Sequence, residues 1–237
     1  MSPALRRLYG LVVTQRCLPW PLWKWLTPRF PRLVNLIRHG RSNFNTKEHW
    51  DRVWNQKGES ETRTYPALFG RIVEVVAPAS RMLDVGCGAG VLLGRLRQER
   101  GCHVCGYDIS PVAIAHLAQL GIDGKTGSLP TIPFPDGTFD VVTATEVLEH
   151  LVTPELTLRE VVRVLQPPGL FLASVPDHYL SVWDSPEHLQ LFDAPRLHAL
   201  LSRFFQTVHV ESIAEQKTSM RHLFAVCRNL NQICGKA

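Results

Sequence analysis

The sequence predicts an α/β fold with a mostly parallel sheet, and three observations carry that expectation. Strand-like and helix-like segments alternate from Arg81 onward, the pattern of βαβ units. A glycine-rich turn, Leu83-Asp-Val-Gly-Cys-Gly-Ala-Gly90, follows an apolar strand and opens a helix. With 237 residues, of which 45% are hydrophobic, the chain is long enough to bury one full core.

The elements follow in order. Strands are expected at 81–85, 103–107, 123–126, 139–144, 170–175, 208–212 and 223–227, and helices at 65–76, 91–99, 111–120, 154–165 and 195–204. The fourth of these helices carries a start signal: Thr153 as cap, Pro154 at the first position and Glu155 in the first turn. Pro167-Pro168 reads as a turn ahead of the fifth strand. No internal repeat is apparent.

The glycine turn points to a nucleoside ligand. Without Cβ atoms, backbone amides can approach a ligand closely. Asp108, ending the second strand eighteen residues after Gly90, is placed to accept hydrogen bonds from ribose hydroxyls. The glycines stand at 86, 88 and 90, and a dinucleotide fingerprint would need its third glycine at Val91. A carboxylate two residues before the first glycine, Asp84, suits a cationic amino-acid end better than a phosphate; its alternative role is to cap the turn's own amides.

These residues resemble motif I of the class I S-adenosylmethionine-dependent methyltransferases. The resemblance continues through Gly106-Tyr-Asp-Ile-Ser110, the 129–140 run, Val141-Val-Thr-Ala-Thr-Glu-Val-Leu-Glu-His150, Leu165-Gln-Pro-Pro-Gly-Leu-Phe-Leu172 and Glu187-His-Leu-Gln-Leu-Phe192. It covers about 50–227 and looks like the small-molecule branch that includes the quinone-biosynthesis O-methyltransferases. It implies a Rossmann-like seven-stranded, mostly parallel sheet with helices on both faces and an antiparallel last strand. It implies S-adenosylmethionine as cofactor, held by Asp84, Gly86, Cys87, Gly88, Gly90, Asp108 and Ile109, with Thr145 and Glu146 under the methionine end. Relatives usually carry an aspartate where Ser128 stands, so the adenine contact falls to the Ser128 hydroxyl or to the Leu129 amide.

Methyl transfer from a sulfonium needs alignment and exclusion of water more than acid–base groups, although a phenol or alcohol acceptor benefits from a base. His150, His178 and His188 are the candidates, with His188 favoured as base or pocket-shaping residue and a structural role open for each. Nucleic-acid bases are disfavoured as acceptors. Ala144-Thr-Glu-Val stands where amine methyltransferases of that class carry Asp/Asn-Pro-Pro-aromatic, and the Pro-Cys of cytosine-C5 enzymes is missing. The expected acceptor is a small molecule. An RNA or protein methyltransferase, or an inactive cofactor-binding scaffold, are the alternatives.

Six cysteines in so long and core-rich a chain do not suggest a disulfide framework, and a reducing, cytoplasmic setting is the natural reading. Cys102 and Cys105 form a C-x-x-C without a second pair, and on a strand they point to opposite faces, so no metal site is expected. Charge is uneven. Residues 1–47 hold nine Arg and Lys and no acid, against +5 for the whole chain, and they contain Trp20, Trp23 and Trp25. This basic, Trp-rich extension, set apart from a methyltransferase domain at 48–237, reads as a segment lying at a membrane interface, which makes the chain a candidate peripheral membrane protein. A nucleic-acid arm, a mitochondrial presequence and simple packing on the domain remain open for it. Oligomeric state is not legible.

Overall fold

A computed structural model describes residues 43–56, 64–177, 187–216 and 220–231, together with Leu26 and Phe30. Most of the basic extension, including Trp20, Trp23 and Trp25, and the candidate His178 lie outside the described residues.

In chain order the elements are α1 (Lys47–Gln56), α2 (Pro66–Val75), β1 (Arg81–Val85), α3 (Val91–Arg100), β2 (His103–Asp108), α4 (Pro111–Gln119), β3 (Asp123–Thr126) and β4 (Phe139–Thr145). A 3₁₀ turn at Leu148–His150 follows, then α5 (Pro154–Val164), β5 (Leu165–Pro176), α6 (Ala194–Leu201), β6 (Phe205–Ala214) and β7 (Arg221–Leu230). The seven strands form one sheet in the order β3-β2-β1-β4-β5-β7-β6. All pairs from β3 to β5 are parallel, and β7 runs antiparallel to both β5 and β6.

Strand alternation sends successive side chains to opposite faces, and two cores result. Leu83, Val142 and Phe171 join one cluster with Leu158, Val161 and Phe205; their chain neighbours Met82, Val141 and Leu172 join the other, with Phe69, Ile72, Leu96 and Phe224. Cys102 packs in the second cluster and Cys105 against the first, as alternate faces require. Four described cysteines, Cys87, Cys102, Cys105 and Cys227, are free.

Helices cover both faces, and the last strand is antiparallel, as predicted. The differences are local. β5 begins at Leu165, so Pro167-Pro168 lies within the strand, beside the point where its register with β4 shifts between Phe139 and Val141. Such an irregularity accommodates prolines that cannot donate to a ladder. Thr153 occupies the cap position of α5, yet its hydroxyl makes no capping bond; the turn is closed by the Leu156 N–H donating to the Thr153 carbonyl. Ser110 and Asp193 do cap, accepting from Ala113 N and Arg196 N.

One feature of the fold bears directly on the site. Arg163 donates to Glu160, to Asp136 and to the carbonyls of Ile132 and Phe134, while Glu160 also accepts the Ile132 N–H. This cluster anchors the loop between β3 and β4, whose first residues reach the C-terminal edge of the sheet.

Candidate functional site

Strand order reverses direction between β1 and β4, and ligands in open α/β sheets bind outside the carboxyl ends of the strands at such a point. A cavity of about 380 Å³ opens there, floored by the glycine turn and the ends of β2 and β4.

The turn is shaped by conformations that side chains resist. Gly86 and Gly88 have φ of +72° and +51°. A Cβ at Gly86 would lie 2.5 Å from Val147 Cγ2, and one at Gly88 2.4 Å from Trp54 Cη2. The turn is therefore closed to any side chain, and its own amides are spent holding its shape: those of Gly86 and Cys87 donate to the Tyr107 carbonyl and that of Gly90 to the Cys87 carbonyl. Gly90, also left-handed, starts α3. Cys87 is buried in the turn, and burial pushes its thiol pKa well up, so it is inert rather than nucleophilic.

Asp108 ties the turn to the next helix. Its Oδ2 accepts the Gly88 N–H at 3.0 Å and its Oδ1 the Ser110 N–H at 2.9 Å. Each carboxylate oxygen has a second lone-pair position, so both can still accept from a pair of vicinal hydroxyls. Burial raises the Asp108 pKa against these bonds. Asp84 sits beneath the turn, 3% exposed, accepting from the Thr143 hydroxyl at 2.7 Å. Burial, reinforced by the nearby Asp108 charge, raises its pKa to about 7.

The other sequence candidates gather around the same cavity. Ile109, Ser128, Leu129, Thr145, Glu146 and His150 all line it. Ser128 is exposed, and its hydroxyl donates to the Leu129 carbonyl at 3.2 Å. Glu146 has a left-handed backbone, φ +56°, and a buried carboxylate held by Ser174 and His222. His150 approaches the Glu187 carbonyl through Nδ1 at 3.0 Å. A carbonyl only accepts, so Nδ1 carries the hydrogen and Nε2 is the basic nitrogen. His188, favoured from the sequence, is not among the lining residues; it stands behind His150, ring centroids 5.0 Å apart. Glu149, His150 and His188 bring one ligand atom each within 4.8 Å of the others, a geometry able to hold a metal ion.

The cover of the cavity comes from ahead of the first strand. Helix α1 places Trp54 over Gly88 and Trp50 edge-on to His150 at 5.1 Å. Asp51 accepts from the Ser110 hydroxyl, fastening α1 to the start of α4. Asn45 donates to the carbonyls of His150 and Glu187, and His49 lies 3.0 Å from the Glu187 carboxylate. Trp50, Trp54 and Tyr65 had two open roles in the sequence, lid or base of the domain. All three line the cavity.

Charge decides what the cavity can take. Asp84, Asp108 and Glu146 contribute three carboxylates, and no Lys or Arg lines it among the described residues. A pyrophosphate would find no countercharge there, whereas a cationic nucleoside would find two carboxylates beyond the one at its ribose. S-adenosylmethionine, with a sulfonium and an ammonium, fits that set. The fold and the site together define an α/β domain built for a positively charged nucleoside.

Comparison with known proteins names the family. Residues 83–173 match the family profile described as a methyltransferase domain. That segment carries the likeness to the S-adenosylmethionine-dependent methyltransferases. It is 30% identical over 135 residues to 2-methyl-6-phytyl-1,4-hydroquinone methyltransferase of Synechocystis, covering 51% of this chain and 42% of that protein. It is 38% identical over 112 residues to the ubiquinone biosynthesis O-methyltransferase of Pseudomonas aeruginosa, covering 42% of this chain and 47% of the relative. The matched segment thus spans less than half the length of each relative. Among solved structures, a methyltransferase of Haloferax volcanii in complex with the Trm112 activator shares the fold, with a TM-score of 0.65, 18% identity, and coverage of 79% of this chain and 99% of that one. A SAM-dependent methyltransferase of Aquifex aeolicus aligns with a TM-score of 0.58 at 18% identity over 75% of this chain and 98% of the other. Among the described residues no helix is long and apolar enough to cross a membrane.

Proposed function

We propose that the chain is an S-adenosylmethionine-dependent methyltransferase acting on a small amphipathic molecule, with a hydroquinone or phenol carrying an apolar tail as the class. The observation that carries this reading is the composition of the cavity. Three carboxylates meet a cationic nucleoside at one side, and at its edge Leu151, Val152 and Leu156 form an apolar flank. Val152 and Leu156 are 41% and 49% exposed, an unusual state for residues of this kind beside a cavity, and one that suits an apolar chain leaving the site. The name of the Synechocystis relative gives it a hydroquinone with a phytyl group.

When bound, S-adenosylmethionine supplies an electrophilic methyl group on its sulfonium. The chain's own residues do the rest. The open surface of the glycine turn and the Asp108 carboxylate orient the nucleoside, Trp50 and Trp54 keep water from the reaction centre, and His150 takes the proton of an attacking hydroxyl. The test is calorimetry with S-adenosylmethionine, followed by methyl-release assays on hydroquinones with and without an alkyl tail. Binding, and turnover that favours the tailed acceptor, are expected; failure to bind the cofactor would overturn the reading. His150→Ala should lower kcat by about 100-fold or more, the usual contribution of a general base, with cofactor affinity within about threefold. Unchanged turnover would remove His150 from that role.

Residues 1–47 are proposed as a membrane-interface anchor, which makes the chain a cytoplasmic protein working at a lipid surface. Their charge and tryptophans support this. Flotation with anionic liposomes should carry the full chain and leave behind a truncation beginning at Arg41; equal behaviour of the two would refute it.

A further inference from the structure

Asn45 stands just ahead of α1, lines the cavity, and spends its side chain on the backbone around His150. Its Nδ2 donates to the His150 carbonyl at 3.0 Å and to the Glu187 carbonyl at 2.9 Å, with Asn43 Oδ1 at 3.2 Å. Carbonyl oxygens only accept, so the amide cannot be turned round: Oδ1 would then face both of them. As placed, Oδ1 is buried and without a partner among the described residues. An unpaired buried acceptor opposes folding, and packing alone does not call for one. What the position gains from asparagine is its pair of donor hydrogens.

Both hydrogens serve the ring of His150. The Glu187 carbonyl that Asn45 holds is also the acceptor for His150 Nδ1, at 3.0 Å. One amide group therefore ties the backbone of His150 to the oxygen that fixes its imidazole. Other bonds bring the two segments together without gripping that oxygen. The Glu149 carbonyl accepts the Leu189 and Gln190 N–H groups, and the Gln190 amide donates to the Leu151 and Val152 carbonyls. From α1, Trp50 packs edge-on to the same ring at 5.1 Å, and His49 meets the Glu187 carboxylate at 3.0 Å.

A histidine that takes a proton must present one nitrogen and keep its hydrogen on the other. The bond made by the protonated nitrogen decides which is which. We infer that Asn45 is the positioning residue for His150: it clamps the Glu187 carbonyl against the His150 backbone and so sets the tautomer and direction of the ring. Asn45 leads into α1, and α1 carries Trp54 over Gly88. The cover of the cavity and the alignment of the ring thus come from one stretch of chain. The inference rests on the reading of His150 as the group that takes the acceptor's proton.

The test uses the full chain carrying Asn45→Leu or Asn45→Asp, both close to asparagine in shape. Turnover of an alkyl hydroquinone with S-adenosylmethionine should fall about 10-fold in Asn45→Leu, the scale of one net hydrogen bond. Asn45→Asp should fall further, since a carboxylate would face the two carbonyls. Affinity for S-adenosylhomocysteine, read by calorimetry, should stay within about twofold in both. Nitrogen NMR of the histidine rings, at a pH where imidazoles are neutral, supplies the readout that a packing role would not move. The His150 signals, identified by their loss in His150→Ala, should show Nδ1 protonated in the wild type and a mixture of tautomers in both variants. Full turnover in the variants, or reduced turnover with the wild-type tautomer, would overturn the role of Asn45. Either variant suffices should the other fail to fold. Unchanged turnover in His150→Ala would instead defeat the base reading. That result is distinct, because the tautomer change in the Asn45 variants would persist.

Discussion

Alanine at Gly88 should cost about 100-fold or more in affinity for S-adenosylhomocysteine while the fold survives. Two effects combine. The residue sits at φ +51°, where a side chain is strained by about 1–3 kcal/mol. The new methyl group would also lie 2.4 Å from Trp54 Cη2, so either the turn or α1 must move. Movement of the turn breaks the Gly88 N–H bond to Asp108, and a charged hydrogen bond is worth about 1.5–3 kcal/mol. Each 1.4 kcal/mol is about tenfold in affinity, so losing both costs on the order of one hundred-fold or more. The double variant with Trp54→Ala separates the two effects. Removing the indole relieves the collision but not the backbone strain, so part of the affinity should return. Undiminished binding by Gly88→Ala would mean that the turn does not hold the ligand.

Asp84→Asn should stabilise the ligand-free domain, and the gain should depend on pH. Burial raises the Asp84 pKa to about 7, so the folded protein holds a proton that the unfolded chain releases near pH 4. Between those values the native state binds more protons than the unfolded one. Stability therefore falls as pH rises from about 4 to about 7, and the cost is complete above 7. Asparagine still accepts the Thr143 hydroxyl bond and carries no charge. The variant should match wild type near pH 4 and exceed it by about 2–4 kcal/mol at pH 8, which is about 4–16 °C in Tm for a domain of this size. Its affinity for S-adenosylmethionine should fall, because the carboxylate that burdens the empty domain is the one that meets a cationic ligand. Thermal melts at pH 4.5 and pH 8 measure the first effect, and a gain that is equal at both pH values would contradict it.

How far the sequence could be read follows from the range of the contacts. Asp84, the glycines and Asp108 are legible because strand, turn and strand end lie within 25 residues, and their spacing is their geometry. The parallel strands are legible for the same reason: short apolar runs are bounded by turns. α1 carried no such signal. Its tryptophans acquire meaning only through Gly88 and His150, which lie on the far side of a domain's worth of chain. The link from Glu146 to His222 spans 76 residues and joins a strand end to the start of β7, where a histidine ahead of an apolar run reads as ordinary core. The Glu-His-Leu setting favours His188 as base or pocket-shaping residue; in the fold His150 lines the cavity and His188 packs against its ring.

The way α1 is fastened has a kinetic meaning. The Ser110–Asp51 hydroxyl bond, the His49–Glu187 pair, the Trp50–His150 ring contact and the Trp54 indole over Gly88 hold it down across the turn. On the proposed reading, release of the spent nucleoside requires that helix to lift, and lid motions of this kind run on microsecond-to-millisecond timescales. The residence time of the product, and with it the ceiling on turnover, is then set by ten residues ahead of the domain's first strand.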